Sequence, residues 1–345
     1  MYFKSILLPG RAAVALGLSS NVAMVDRASA HVKWFCAFDV AGHPRSLENV
    51  LCPDFEILVG IALLILTAGC LVEGSPLGEG LLRGLDRATK LIRQNTELLF
   101  RAGCAFFFIA IWATGGILLT PELKTESKAL ALLQLGIAAG MLSRKTMPFS
   151  AGGIAVLFGV GVYHYGVFHL ADYPVFLGVA AYLALIGLQR ELFGVRPIDV
   201  VRYAAAITLM WASVEKWAYP QWTFPLLADR PGMTLGYDPE FFLRASGVIE
   251  FTLAFALVWT PLVRRCASVL LAAMFISAIL EFGKIDAIGH ALIIVVLLAI
   301  LADDARGTRK VWYAALAPVG YVIALATFLG TYYFMHSLLF GSSVL

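Results

Sequence analysis

At 345 residues, 60% of them hydrophobic and only 14% charged, the chain has a mean hydropathy of +0.82 and too little polar surface to coat a soluble globule of its size. Its net charge of +3 comes from Lys and Arg held in short stretches between apolar runs, where they set topology, so a nucleic-acid surface is excluded as well. Composition therefore predicts an all-α, polytopic integral membrane protein embedded in a lipid bilayer.

In chain order, Lys4 and Arg11 precede a weakly apolar run from Ala12 to Met24, and Ala28-Ser29-Ala30 supplies a small-x-small cleavage pattern. Residues 1–30 are expected to be a signal peptide cut before His31. The competing view is an uncleaved segment, for which Asp26, Arg27 and Arg11 speak, although the run is short for a bilayer core of ~30 Å. Residues 31–54 then form an extracytoplasmic segment, in which Cys36 and Cys52 are placed to form a disulfide in an oxidising compartment. His31-Val-Lys-Trp-Phe35 is similar to the start of uncharacterised bacterial membrane proteins, and that likeness implies no chemistry.

Ten apolar segments of spanning or near-spanning length follow: 55–73, 97–120, 128–143, 148–169, 172–189, 199–219, 241–262, 266–283, 287–302 and 311–334. If residues 31–54 lie outside, the inside loops hold Arg83, Arg87, Lys90 and Arg93, then Arg144 and Lys145, Arg190 and Arg196, Arg264 and Arg265, and Arg306, Arg309 and Lys310. Outside loops mix their cations with acids (Glu122, Lys124, Glu126, Lys128; Asp229, Arg230, Asp238, Glu240). The positive-inside rule then predicts a multi-pass protein of the bacterial cytoplasmic (inner) membrane with its mature N-terminus outside.

The domain plan expected is a first transmembrane helix with a basic cytoplasmic connection (55–96), a four-helix unit (97–189), a second four-helix unit (198–303), and a final helix with its tail (311–345). Within the connection, Leu81, Leu82, Leu85 and Ile92 alternate with Arg and Lys, as in a helix lying on the inner leaflet or in a solvated basic linker helix. The two units read as a tandem repeat, with Arg101 matching Arg202, Gly136 matching Gly247, and Tyr165-Gly166, His169 and Asp172 answering Phe282-Gly283, Asp286 and His290. Even numbers of spans would make the copies parallel. The plainer explanation is the general likeness of any two four-helix membrane segments.

Charge within apolar segments marks function or helix locking. Glu250 lies nine residues into its segment, about 14 Å along the axis, and so near mid-membrane by that measure. Glu215 and Lys216 sit near the outer end of theirs, and Glu281, Lys284, Asp286 and His290 cluster at the turn between two others. These groups either converge on an outward-opening pocket or form ion pairs that lock helices. The loop 217–242 adds aromatic residues, Trp222 among them, with four prolines, as an interfacial belt or as a wall for a hydrophobic ring.

All six histidines fall on the Lys/Arg-poor side: His31, His43, His164, His169, His290 and His336. His31, with a free amine after cleavage, and His43, His164 and His169 form a candidate copper set; imidazoles there also suit proton transfer or a bond to a quinone carbonyl. The sequence has no HExxH, CxxCH or paired CxxC pattern.

Trp211, Glu215-Lys216, Pro220, Gly247-Val-Ile-Glu250, Glu281 and Gly289-His290 together resemble the four-helix membrane unit of the DoxX-like superfamily, over about residues 199–303. That resemblance implies redox work at the membrane, with a quinone cofactor or a periplasmic redox enzyme as partner. Under it, Glu250, Glu215, Glu281 and His290 would handle protons and contact the head group, with Lys216, Trp222, Lys284 and Asp286 helping to bind it. Ten spans, a leading segment and a second copy depart from a simple member. The other functions in play are a secondary transporter for a metal ion or small solute and a membrane anchor or assembly factor for a periplasmic partner.

Overall fold

The computed structural model describes residues 32–190, 194–304 and 312–341, so the expected signal peptide, its cleavage site and His31 lie outside the described residues, as do Arg306, Arg309 and Lys310. Each predicted apolar segment contains a helix: α1 (Pro53–Glu73), α2 (Thr96–Thr114), α3 (Lys128–Gly140), α4 (Met147–Tyr165), α5 (Pro174–Leu188), α6 (Pro197–Ala218), α7 (Pro239–Leu257), α8 (Pro261–Phe282), α9 (Lys284–Ala302) and α10 (Trp312–Phe340). Among the described residues there is no strand, only a single bridge between Ile117 and Lys124 in the α2–α3 loop.

Among the described residues six helices are long and apolar enough to cross a membrane: α1, α2, α4, α8, α9 and α10. The protein is thus a multi-pass membrane protein by its helices. α3 and α5 are apolar but shorter. α6 and α7 have the length but carry Arg202, Glu215 and Lys216, and Arg244 and Glu250, respectively.

Local chemistry sets the boundaries. Proline stands in the first turn of α1 and of α4 through α8, where its missing N–H costs nothing. Gly283, at φ 74°, lets α8 end and α9 begin with no intervening loop, and Gly166, at φ 84°, does the same between α4 and the short helix Val167–Leu170. These are the two glycines that the Tyr-Gly and Phe-Gly comparison paired.

Packing runs in chain order through α2, α3, α4 and α5, and again through α6, α7, α8 and α9. The two sets meet reciprocally. α5, the last of the first set, packs on α6, the first of the second, while α9 packs on α2. Each junction uses a glycine for close approach: a Cβ on Gly178 would come within 2.3 Å of Ala204, and one on Gly103 within 2.4 Å of Val295. α1 and α10 pack on each other, and both touch α7.

The basic loops meet at one end of the bundle. Arg265 pairs with Asp86 (2.6 Å), Arg93 with Asp304 (3.3 Å), Arg196 and Arg264 with Asp303 (2.9 and 3.3 Å), and Arg144 with Glu97 (3.7 Å). The helix Pro76–Ala88 lies at this end with Leu82 buried, Leu77 and Leu81 exposed, and Arg83 and Arg87 exposed beside them. Its Asp86 and the following Thr89 are fixed by Arg265.

If the Gly178 contact sets the α5–α6 spacing, Gly178→Leu should lower stability in detergent by about 1–3 kcal/mol. Gly152→Leu, where a Cβ would meet nothing within 4 Å, should leave the unfolding midpoint unchanged.

Candidate functional site

The residues that organise the site come from the first described segment. Lys33 is fully buried, and its ammonium forms ion pairs with Asp172, just ahead of α5, and with Glu215 near the end of α6 at 2.7 Å. Its charge also lies over the rings of Trp222 (5.5 Å) and Phe38 (5.7 Å). Burial alone would lower the Lys33 pKa, but the two carboxylates outweigh it and hold the pKa above its ordinary value, so the group stays charged.

The next residue, Trp34, lies flat on α9. A Cβ on Gly289 would come within 2.1 Å of the Trp34 ring, so the absence of a side chain there makes the seat. Beside it, the His290 ring sits 4.7 Å from Trp34 and stacks on Phe275 at 4.5 Å and 23°. His290 Nδ1 is 2.9 Å from Asp286 Oδ2, one turn back on α9. A neutral imidazole donating from Nδ1 keeps Nε2 as an acceptor.

Lys216 Nζ lies 2.6 Å from Glu250 Oε2, and both side chains are largely buried. This pairing relates Glu250 to the neighbouring helix. The residue is near the middle of α7, yet it lies level with Lys216, close to the end of α6. α7 simply continues past its neighbour: Trp217 donates to the Arg244 carbonyl (3.3 Å) and packs where Gly247 has no side chain.

Trp34, Asp172, Lys216, Glu250, Phe275 and His290 line one cavity of about 70 Å³, counted as the space open to the centre of a water-sized sphere. It lies among α6, α7, α8 and α9, with Tyr173 and Phe176 at the start of α5 closing one side. Of the residues singled out from sequence, Glu250, Lys216 and His290 therefore line it; Asp286 stands behind His290, and Glu215 adjoins it through Lys33. Trp222 is buried above Lys33, stacked on Tyr219 at 4.1 Å and 8°. Glu281 and Lys284 do not join. Glu281, at the end of α8, turns to Arg230 in the α6–α7 loop (2.7 Å), and Lys284 is exposed beyond Gly283.

The histidines do not gather. His43 and His164 are exposed, while His169 is buried 3.7 Å from Glu122, and His336 is buried against the Tyr219 hydroxyl (2.8 Å) and the Val40 carbonyl (3.1 Å). Among the described residues no three His, Cys, Asp or Glu side chains form a group able to hold a metal ion. Cys36 and Cys52 are both free thiols, unlike the expected bridge: Cys36 lies by the Leu226 backbone, whereas Cys52 caps α1.

Sequence reasoning missed Lys33 and Trp34, and treated Asp172 only as a marker of the repeat. The available signal was slight, a lone lysine within an aromatic His31–Phe35 run. Glu122 was likewise read as a loop charge, but it accepts hydrogen bonds from Tyr173 and from Thr120 (2.9 Å).

Removing Lys33 leaves two buried carboxylates facing each other, so Lys33→Met should destabilise the protein by about 3–5 kcal/mol. The triple variant Lys33→Met/Asp172→Asn/Glu215→Gln should recover most of that loss in thermal unfolding. Glu122 predicts an acid limb. Burial pushes its pKa up, but the nearby His169 ring and the hydrogen bond from Tyr173 prevail and hold it below the ordinary value of 4.5. Its contribution is therefore complete above pH 4.5 and lost as pH falls through the lower folded value. Unfolding midpoints measured from about pH 6 to about pH 3 should fall less steeply in Glu122→Gln than in the wild type. Searches with this chain found no matching family model, no matching curated protein and no matching solved structure.

Proposed function

We propose that the chain is a ten-span protein of the bacterial inner membrane whose outward-facing cavity binds the ring of a quinone-type molecule. The convergence of the basic loops at one end supports a single inside face, with residues 32–54 outside. α3 and α5, about 20 and 22 Å long, span with local thinning of the bilayer. Charges in α6 and α7 are internally paired, Arg202 with Asp199 (2.8 Å) and Lys216 with Glu250, which suits buried helices in lipid. The reciprocal α5–α6 and α2–α9 junctions support two copies of a DoxX-like four-helix unit, related by an axis along the membrane normal.

The observation that carries the ligand class is the cavity itself. It combines flat aromatic walls (Trp34, Phe275, Phe176 and Tyr173) with hydrogen-bonding groups (His290, Lys216 and Asp172) in a largely apolar space. A bound quinone would supply two-electron, two-proton redox chemistry. This chain's own residues seat the ring against Trp34, orient one of its oxygens by Lys216, accept a hydroxyl at His290 once the ring is reduced, and hold protons on Glu250 and on the Asp172–Lys33–Glu215 cluster. Of the expected site residues, Glu281 and Lys284 take no part in this reading.

A secondary transporter is the second reading, favoured by the placement of the cavity beside the junction of two reciprocally packed units. In that reading the ion pairs of Arg196, Arg264 and Asp303 form the closed inner gate.

Protein purified in mild detergent should yield about one quinone per chain on organic extraction, and Glu250→Ala should lose it while Glu281→Ala keeps it. A wild-type extract with no quinone would sink the redox reading, and solute uptake into proteoliposomes would then establish the transporter.

A further inference from the structure

We infer that the helix Pro76–Ala88 lies in the headgroup layer at the basic end of the bundle and binds anionic phospholipid there. The inference concerns a different part of the molecule from Lys33 and its cavity, and it does not depend on what the cavity holds.

Position comes first. α1 is one of the helices long and apolar enough to cross a membrane, and only Gly74 and Ser75 separate it from this helix. Leu71 and Val72, in the last turn of α1, are still exposed. The chain then folds back tightly. The Ser75 hydroxyl caps the new helix by accepting from the Gly78 N–H (3.3 Å), and a Cβ on Gly78 would come within 2.2 Å of the Val72 carbonyl oxygen. Leu82 is buried, and Arg265 near the start of α8 donates to Asp86 (2.6 Å) and to Thr89 (2.9 Å). One face is thereby fixed on the bundle, which fixes the other outward.

That outward face carries two stripes. Positions 77, 81, 84 and 88, at three- and four-residue intervals, hold Leu, Leu, Gly and Ala, all exposed, Leu77 at 65% and Leu81 at 46%. Beside them Arg83 and Arg87, four residues apart, are exposed, as is Lys90 just beyond the helix. Of the two acids in the helix, Asp86 is held by Arg265 and Glu79 lies 3.9 Å from Arg83, so positive charge remains in excess.

A linker surrounded by water gains nothing from an uncharged leucine stripe. At the foot of a spanning helix, such a stripe enters the acyl boundary while the neighbouring guanidinium groups stay level with the phosphates. Arginine suits that place because its fork matches two phosphate oxygens. A zwitterionic headgroup brings its own cation to the same position, so the excess charge favours a lipid without one.

The test is native mass spectrometry of the purified full-length protein, released from mild detergent doped with equal amounts of phosphatidylglycerol and phosphatidylcholine. The wild type should retain phosphatidylglycerol at least ~10-fold over phosphatidylcholine. Arg83→Gln/Arg87→Gln/Lys90→Gln should lose most of that preference, whereas Lys145→Gln/Arg190→Gln, which removes two exposed cations of other loops at the same end, should keep it. Leu77→Gln/Leu81→Gln should weaken phosphatidylglycerol retention with every cation in place. All these side chains are exposed, so each variant should unfold at the wild-type midpoint. Equal retention of the two lipids by the wild type would overturn the inference, as would an unchanged preference in the triple variant or an equal loss in the Lys145 and Arg190 variant. Full retention in the leucine variant would overturn the insertion of the stripe.

Discussion

One buried cation holds the site together. Lys33 gathers Asp172 from the approach to α5 and Glu215 from the end of α6, so a single side chain ties the leading segment to both four-helix sets. Such a pairing gains little over an apolar replacement, because desolvation of the three charges consumes most of their attraction. What it supplies is position: no other placement of the segment satisfies two buried carboxylates. Trp34 follows directly and is set on Gly289, and further ties repeat the constraint, from Arg45 to Glu240 (2.6 Å) and from the Tyr333 hydroxyl to the Arg45 carbonyl (2.7 Å). The roof of the cavity is thereby fixed in register with its walls.

The two ends of the bundle solve different electrostatic problems. At the basic end, arginines from separate loops share Asp86, Asp303 and Asp304, and the exposed members of this network keep access to water. At the other end the charged groups around Lys33 and Lys216 are buried, and aromatic rings lie over the Lys33 ammonium. The first arrangement closes a surface. The second keeps a cluster of ionisable groups inside the fold, lining or adjoining the cavity.

The helices were legible in sequence because apolar runs and their proline starts are properties of one stretch of chain at a time. The sidedness of the basic loops was legible for the same reason, and the structure brings those loops together. What escaped were relations between distant stretches. Lys33 meets its partners across 139 and 182 positions, and nothing local to His31–Phe35 announces that. Counting along its own helix placed Glu250 nine residues in, but could not show that Lys216 on α6 would be its partner. Glu281 and Lys284 shared a turn with Asp286 and His290, but the bend at Gly283 separates an exposed pair from a buried one. Spacing along the chain could bring Cys36 and Cys52 near each other, but the elements that hold them point the thiols to different neighbours.

The leading segment also has a consequence for the order in which the molecule is made. Its partners all follow it in the chain, and in sequence: Asp172, Glu215, Glu240 and finally Tyr333 and His336, the last of them 296 positions after Val40. Contacts at such separation form only after the intervening chain is inserted. The Lys33 pairs can therefore form only once α6 has been made, and Trp34 finds its seat on Gly289 only once α9 has followed. Of these contacts only those of Tyr333 and His336 need α10, so the walls of the cavity, the Lys33 pairs and the Trp34 seat are all encoded by the end of α9, and α10 serves to pin the stretch from Val40 to Arg45 over them.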